Sequence, residues 1–307
     1  MNATSTLPTP VQRLRTWASF VRFEHTLFTL PLILAGIFSV PGAPMTLGRW
    51  LLVAVAAVGA RTSAMSLNRL IDRQLDALNP RTRTRELPSG KMKLAEAWGL
   101  LLGAMAVYFA AAWKLDPIGL LYVKLAPIPL VVFTLYPYTK RFTPFCHFGV
   151  GAGMCMAPLA GYAAAHPDLA YPWTAVWLAA FTLLWGSGFD IIYSTLDEES
   201  DRANGVHSMI VWRGRKGGLR VSGWLHAAAS LALMLVLASM PSVRAPGALH
   251  FLYTSATGIL CGAAIALLYL EQKLAEDVNL AFFRINVWVS AVVLAMVLMR
   301  RAVSGGF

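Results

Sequence analysis

Asn68, Asp72 and Asp76 stand four residues apart in the run Asn68-Arg-Leu-Ile-Asp-Arg-Gln-Leu-Asp76. On a helix this spacing aligns three oxygen ligands along one face. A second acidic group, Asp190, Asp197 and Asp201, follows with Tyr193 an i, i+3, i+7, i+11 helical stripe. Each group closes a long apolar run, where a membrane helix would be leaving hydrocarbon. Ionisable groups are costly there and mark function by default. Carboxylate and amide oxygens suit Mg²⁺, which takes one or two carboxylates together with waters and substrate phosphates. The two clusters therefore predict one shared divalent-cation site, with Asn68, Asp72, Asp76, Asp197 and Asp201 as ligands. Asp72 and Asp197 are its expected catalytic core. Asp190 lies deeper along its helix and is the candidate for orienting a substrate or accepting a proton.

Positive charge surrounds the first cluster: Arg69, Arg73, Arg81, Arg83, Arg85, Lys91 and Lys93 follow or interleave with the acids. They could balance a diphosphate. Arg61, seven residues before Asn68, projects from the same face roughly 10 Å deeper by the helical rise. A buried Arg needs an anion, whether a protein carboxylate, a substrate carboxylate or a diphosphate. Tyr136-Pro-Tyr138-Thr-Lys140-Arg141 ends another apolar run; Tyr138, Lys140, Arg141 and Tyr193, together with Arg22, are further candidates for binding diphosphate or acceptor. Glu24 and His25 stand beside Arg22, and His25 reads as an interfacial histidine. Glu198 and Glu199 fall off the acidic stripe and read as solvated.

The elements that position these groups follow from composition. The chain has 307 residues, 57% of them hydrophobic and only 13% charged. Repeated apolar stretches of spanning length predict an all-α polytopic membrane protein, since a spanning segment must satisfy its backbone internally. Nine spans are expected, near 23–40, 48–70, 94–113, 117–137, 146–165, 173–196, 219–240, 248–270 and 280–299. With the N-terminus inside, 18 Lys and Arg fall in inside segments and five outside, with Arg61, Arg69 and Lys124 within spans. That bias supports the count and the orientation. It also explains the net charge of +11 without nucleic acid.

Residues 1–22 read as a cytosolic tail, and 23–307 as one transmembrane domain with pseudo-halves of about 23–140 and 146–300. The second and sixth spans then run in the same direction, and their acidic ends meet beneath two basic loops of about twenty residues, longer than usual connections. Gly149, Gly151, Gly153 and Pro158 predict close packing and a kink in the fifth span. Cys146, Cys155 and Cys261 show no metal-ligand spacing and read as packing residues.

The landmarks together resemble the UbiA superfamily of intramembrane prenyltransferases, most nearly its bacterial 4-hydroxybenzoate polyprenyltransferases. The resemblance rests on Asn68-x-x-x-Asp72-x-x-x-Asp76 and on Arg85-Glu-Leu-Pro-Ser-Gly90. It continues in Asp197-x-x-x-Asp201, preceded by Asp190 and Tyr193 and followed by Gly205-Val-His-Ser208. Tyr136, Pro137, Lys140 and Arg141 match the family's Tyr-Pro-x-x-Lys-Arg, and Arg61 its arginine before the first motif. Arg69, Glu86 and His207 depart from the common pattern, where Asp, Pro and Lys are frequent.

The resemblance implies nine helices around a central cavity in a bacterial inner membrane, with active-site loops cytosolic and the C-terminus opposite. Mg²⁺ would bridge both Asp motifs and a polyprenyl diphosphate, and an allylic carbocation would alkylate an aromatic acceptor in quinone biosynthesis. The segment Phe23-Glu-His-Thr-Leu-Phe28 resembles a sub-branch linked to menaquinone, which makes a naphthoate the alternative acceptor to 4-hydroxybenzoate. No obligate protein partner is expected. An ion-coupled transporter is the competing class, although its acids would more often lie at broken helices near the bilayer midplane.

Overall fold

A computed structural model of the chain describes residues 9–22, 26–42, 45–116, 119–241, 247–278 and 284–303. Every regular element among them is helical. Glu24 and His25 lie outside the described residues.

Helix α1 (Pro10–Phe20) starts in the expected N-terminal tail, with Thr9 and Gln12 forming a reciprocal capping box and Pro10 at the first helical position. Its last residue, Phe20, is fully buried against Leu70, Met92, Ala97 and Leu101. Helix α2 (Thr26–Ile37) follows, and then α3 (Leu47–Leu78), whose 32 residues are opened by a Thr46 cap. The apolar first half of α3 spans, while its polar second half continues beyond the expected end near residue 70. It stops at Asn79, which is held extended before Pro80.

After α4 (Leu94–Leu115), the expected fourth span is built in two pieces, α5 (Leu121–Leu125) and α6 (Pro127–Thr139). Pro127 has no N–H to donate to the preceding turn, so it starts a helix rather than continuing one. Helix α7 (Cys146–Ala165) leads into α8 (Trp173–Ser194), a 3₁₀ turn at Thr195–Asp197, and α9 (Glu198–Ala203). Helix α10 (Met209–Ser239) carries a break at Gly214, whose φ of 69° is left-handed. Helices α11 (Gly247–Lys273) and α12 (Asn286–Val303) complete the described chain.

Seven segments among the described residues are long and apolar enough to cross a membrane: Leu47–Leu78, Leu94–Leu115, Leu121–Thr139, Cys146–Ala165, Trp173–Ala203, Met209–Ser239 and Gly247–Lys273. The count of nine is not met by this measure. Within the described residues, the expected first span corresponds to α2, with 12 residues, and the ninth to α12, with 18. The basic loop expected after the sixth span is also largely helical, because α9 and the start of α10 occupy it.

Helix α8 is the most buried span, with Phe181, Trp185, Leu178 and Ile191 all fully enclosed. Helix α7 packs on α2 and α8 through small residues, as its glycines predict. A Cβ on Gly161 would lie 2.0 Å from the Ile33 carbonyl oxygen, and one on Gly151 would lie 2.3 Å from that of Leu183. Backbones this close gain dispersion contacts, the attraction available between helices once water is absent.

Candidate functional site

One cavity of about 300 Å³ gathers both acidic clusters. From α3 it takes Arg61, Met65, Asn68, Asp72 and Asp76; from the chain beyond α3, Asn79, Arg81 and Arg85. Tyr136 and Lys140 enter from the end of α6, His147, Val150 and Met154 from α7, and Phe189, Asp190 and Tyr193 from α8. Asp197 and Asp201 close it from the 3₁₀ turn and α9. The expected straight stripe through the second cluster is therefore bent between Tyr193 and Asp201, yet all four residues still face one space.

The first cluster is held by cations and by its own amide. Asp72 is buried, and its Oδ2 accepts from Lys140 Nζ at 2.7 Å and from Asn68 Nδ2 at 3.1 Å. Burial alone would lower the Lys140 ammonium, but Asp72 outweighs it and keeps the group charged above its ordinary range. Asp76 Oδ1 accepts from Arg85 Nη1 at 2.7 Å. The chain after α3 also reaches the second cluster: Asn79 Nδ2 donates to Asp197 Oδ1 at 2.6 Å, and Arg81 donates from Nε at 2.8 Å to the same oxygen and from Nη2 to Oδ2. Arg81 Nη1 donates to the Tyr193 hydroxyl at 2.8 Å. Gly205, with φ of 67°, turns the chain after α9 so that His207 N–H meets the Lys140 carbonyl at 2.7 Å.

Among the described residues, no three His, Cys, Asp or Glu side chains converge as a ready metal cage. The donor set nevertheless fits a hard cation of the Mg²⁺ type, which is held by few carboxylates and completed by water and phosphate oxygens. Asp72 Oδ1 and Asp76 Oδ2 are buried and have no hydrogen-bond partner among the described residues. Each is an oxygen with its lone pairs still available, although Arg141 lies 3.5 Å from the first and Arg69 4.0 Å from the second.

Three expected site residues do not line the cavity. Tyr138 is 45% exposed and stacks under Arg141, whose guanidinium carbon lies 5.0 Å from the ring centroid. The reason is helical geometry: Tyr136 and Lys140 are four residues apart and share a face of α6, which turns Tyr138 to the other side. Arg141 backs the site instead, donating to the Pro137 and Ile71 carbonyls at 2.8 Å each. Arg22, with φ of 49°, sits at the turn after α1, away from the cavity.

The departures from the family pattern also point elsewhere. Arg69 Nε donates to the Phe20 carbonyl at 3.4 Å and Glu86 Oε1 accepts from Ser19 Oγ at 2.6 Å, so both tie α1 to the bundle. His207 is exposed.

Sequence reasoning missed Asn79 and His147, and read Cys146 as packing although it lines the cavity. His147 could have been found from its register: 147, 150 and 154 follow i, i+3, i+7 on α7, and all three line the cavity.

The UbiA prenyltransferase family profile matches residues 29–299. A 4-hydroxybenzoate octaprenyltransferase of Shewanella halifaxensis is 27% identical over 246 residues, covering 78% of this chain and 83% of that protein. That of Shewanella denitrificans is 31% identical, over 66% of this chain and 69% of its own length. Among solved structures, the apo UbiA homologue of Aeropyrum pernix K1 superposes with a TM-score of 0.72 at 32% identity, covering 90% of this chain and 97% of that one. A UbiA homologue of Archaeoglobus fulgidus bound to GPP and Mg²⁺ shares the fold, with a TM-score of 0.70 at 16% identity over 94% of this chain and 99% of its own.

Proposed function

The chain belongs to the UbiA prenyltransferase family, and from that premise we propose that it transfers a polyprenyl group from a polyprenyl diphosphate to 4-hydroxybenzoate. The observation that supports this reading best is the partition of the cavity. Both acidic motifs and the cations Arg81, Arg85 and Lys140 line the cavity, and Met65, Val150, Met154 and Phe189 supply apolar wall. A charged diphosphate joined to an apolar tail has the same partition. We read residues 23–307 as one prenyltransferase domain, with its site open to the cytosolic face of a bacterial inner membrane.

In this reading Asn68, Asp72, Asp76, Asp197 and Asp201 hold Mg²⁺. When bound, Mg²⁺ neutralises charge on the departing diphosphate oxygens. Lys140, Arg81 and Arg85 bind the same oxygens as the bond to the prenyl carbon lengthens, each with its charge already aimed into the site. Tyr193 orients Arg81. The apolar wall keeps water from the allylic carbocation. Arg61, about 10 Å along α3 from Asn68, faces the acceptor carboxylate, and Asp190 receives the ring proton.

The relatives at 27% and 31% identity carry 4-hydroxybenzoate octaprenyltransferase names, which favours that acceptor over a naphthoate. The test is a competition in membranes containing the protein, with Mg²⁺, labelled geranyl diphosphate and both acceptors at equal concentration. Label entering 4-hydroxybenzoate first supports the assignment. Label entering only the naphthoate moves the protein to the other quinone route with the same chemistry.

A further inference from the structure

We propose that His147 is a positioning residue: it fixes the Asp190 carboxylate so that the free oxygen meets the acceptor ring, a role that rests on the prenyl-transfer reading above. His147 Nδ1 lies 2.7 Å from Asp190 Oδ2. The other ring nitrogen is committed as well, because the backbone N–H of Met209 donates to Nε2 at 3.1 Å. An amide N–H can only donate, so Nε2 carries the lone pair and Nδ1 carries the proton. The ring is thereby held in one neutral tautomer, with Asp190 as its acceptor.

The anchor of this arrangement is the start of α10. Ser208 caps that helix by accepting from Val211 N–H at 3.3 Å. Met209, the first residue of α10, is one of the helix's four orphan donors, and His147 satisfies it. The imidazole is thus clamped between a helix terminus and a carboxylate. Its side chain is 3% exposed, while that of Asp190 is 24% exposed toward the cavity. Asp190 Oδ1 has no hydrogen-bond partner among the described residues. One oxygen is tied and the other faces the reactants.

The prenyl carbon–oxygen bond breaks, and its electron pair leaves with diphosphate. A ring π pair forms the new carbon–carbon bond, and the ring carbon then gives its proton to Asp190 Oδ1, restoring aromaticity. The proton later passes to water. Orientation matters because a base displaced by about 1 Å costs on the order of 10²-fold.

The experiment uses the full-length protein in membranes, Mg²⁺, geranyl diphosphate and 4-hydroxybenzoate, either unlabelled or deuterated at the alkylated ring positions. His147→Ala should lower kcat roughly 10²-fold, at the low end of a general base's contribution. The KM for geranyl diphosphate should stay within about twofold, and the isotope effect should exceed that of the wild type as proton removal becomes limiting. His147→Gln, whose amide can both donate to Asp190 and accept from Met209, should recover most of kcat. Adding His147→Ala to Asp190→Asn should cost nothing further. An unchanged isotope effect, a His147→Gln variant no better than His147→Ala, or additive losses in the double variant would overturn the proposal. Wild-type rates alone test the underlying reading: no transfer to 4-hydroxybenzoate or a naphthoate would remove prenyl transfer itself, whatever the variants do.

Discussion

Arg81 grips Asp197 with two nitrogens, Nε on Oδ1 at 2.8 Å and Nη2 on Oδ2, so a cation from the chain after α3 neutralises the acidic motif at the end of α8. A bidentate pair of this kind is among the stronger polar contacts a protein makes. It also sits where the proposed site needs its carboxylate and its cation separately available to cation and diphosphate. The two halves of the site are therefore coupled before substrate arrives.

Arg81→Ala tests which partner matters in turnover. Loss of a charge-assisted contact to diphosphate should raise KM for geranyl diphosphate roughly tenfold. A variant whose KM is unchanged but which needs less Mg²⁺ would mean that Arg81 only shields Asp197. Steady-state rates over a grid of Mg²⁺ and diphosphate concentrations separate the two.

Tyr136 and Tyr138 give a paired prediction. Tyr136 lines the cavity four residues before Lys140, whereas Tyr138 faces outward. Tyr136→Phe should lower transfer several-fold, of the order of one lost hydrogen bond. Tyr138→Phe should leave it within about twofold. The reverse ranking in the same assay would put the wrong face of α6 on the site.

Gly161 carries the approach of α7 to α2. Any side chain there meets the Ile33 carbonyl, so Gly161→Val should destabilise the bundle by about 1–3 kcal/mol, the range for overpacking. Thermal unfolding in detergent should show a lower Tm than wild type. An unchanged Tm would mean that the helices separate at no cost.

The first acidic motif was legible because a helix that runs on past the apolar segment keeps its 3.6-residue period, and α3 continues through Leu78. The second motif was legible as a cluster but not as a shape. Nothing in the run Tyr193-Ser-Thr-Leu-Asp197 announces the 3₁₀ turn there, which is set by how α8 meets α9. Tyr136 and Tyr138 both precede Lys140 closely in sequence, and only the helical face distinguishes them. His147 stayed hidden for a different reason. Its register with Val150 and Met154 marks its face of α7, but its partners, Asp190 on α8 and a backbone N–H on α10, lie too far along the chain for a local pattern to name them. Arg69 and Glu86, which depart from the family pattern, bond to residues of α1, whose docking no motif records.

Whether the two acidic motifs act as one Mg²⁺-dependent site is tested by comparing wild type, Asp72→Asn and Asp197→Asn in membranes with matched protein levels. Prenyl transfer from geranyl diphosphate should require Mg²⁺ in the wild type and fall at least 10²-fold in each variant, since each loses a charged ligand from the shared site. Near wild-type transfer in either variant, or wild-type transfer that persists in excess chelator, would contradict the account.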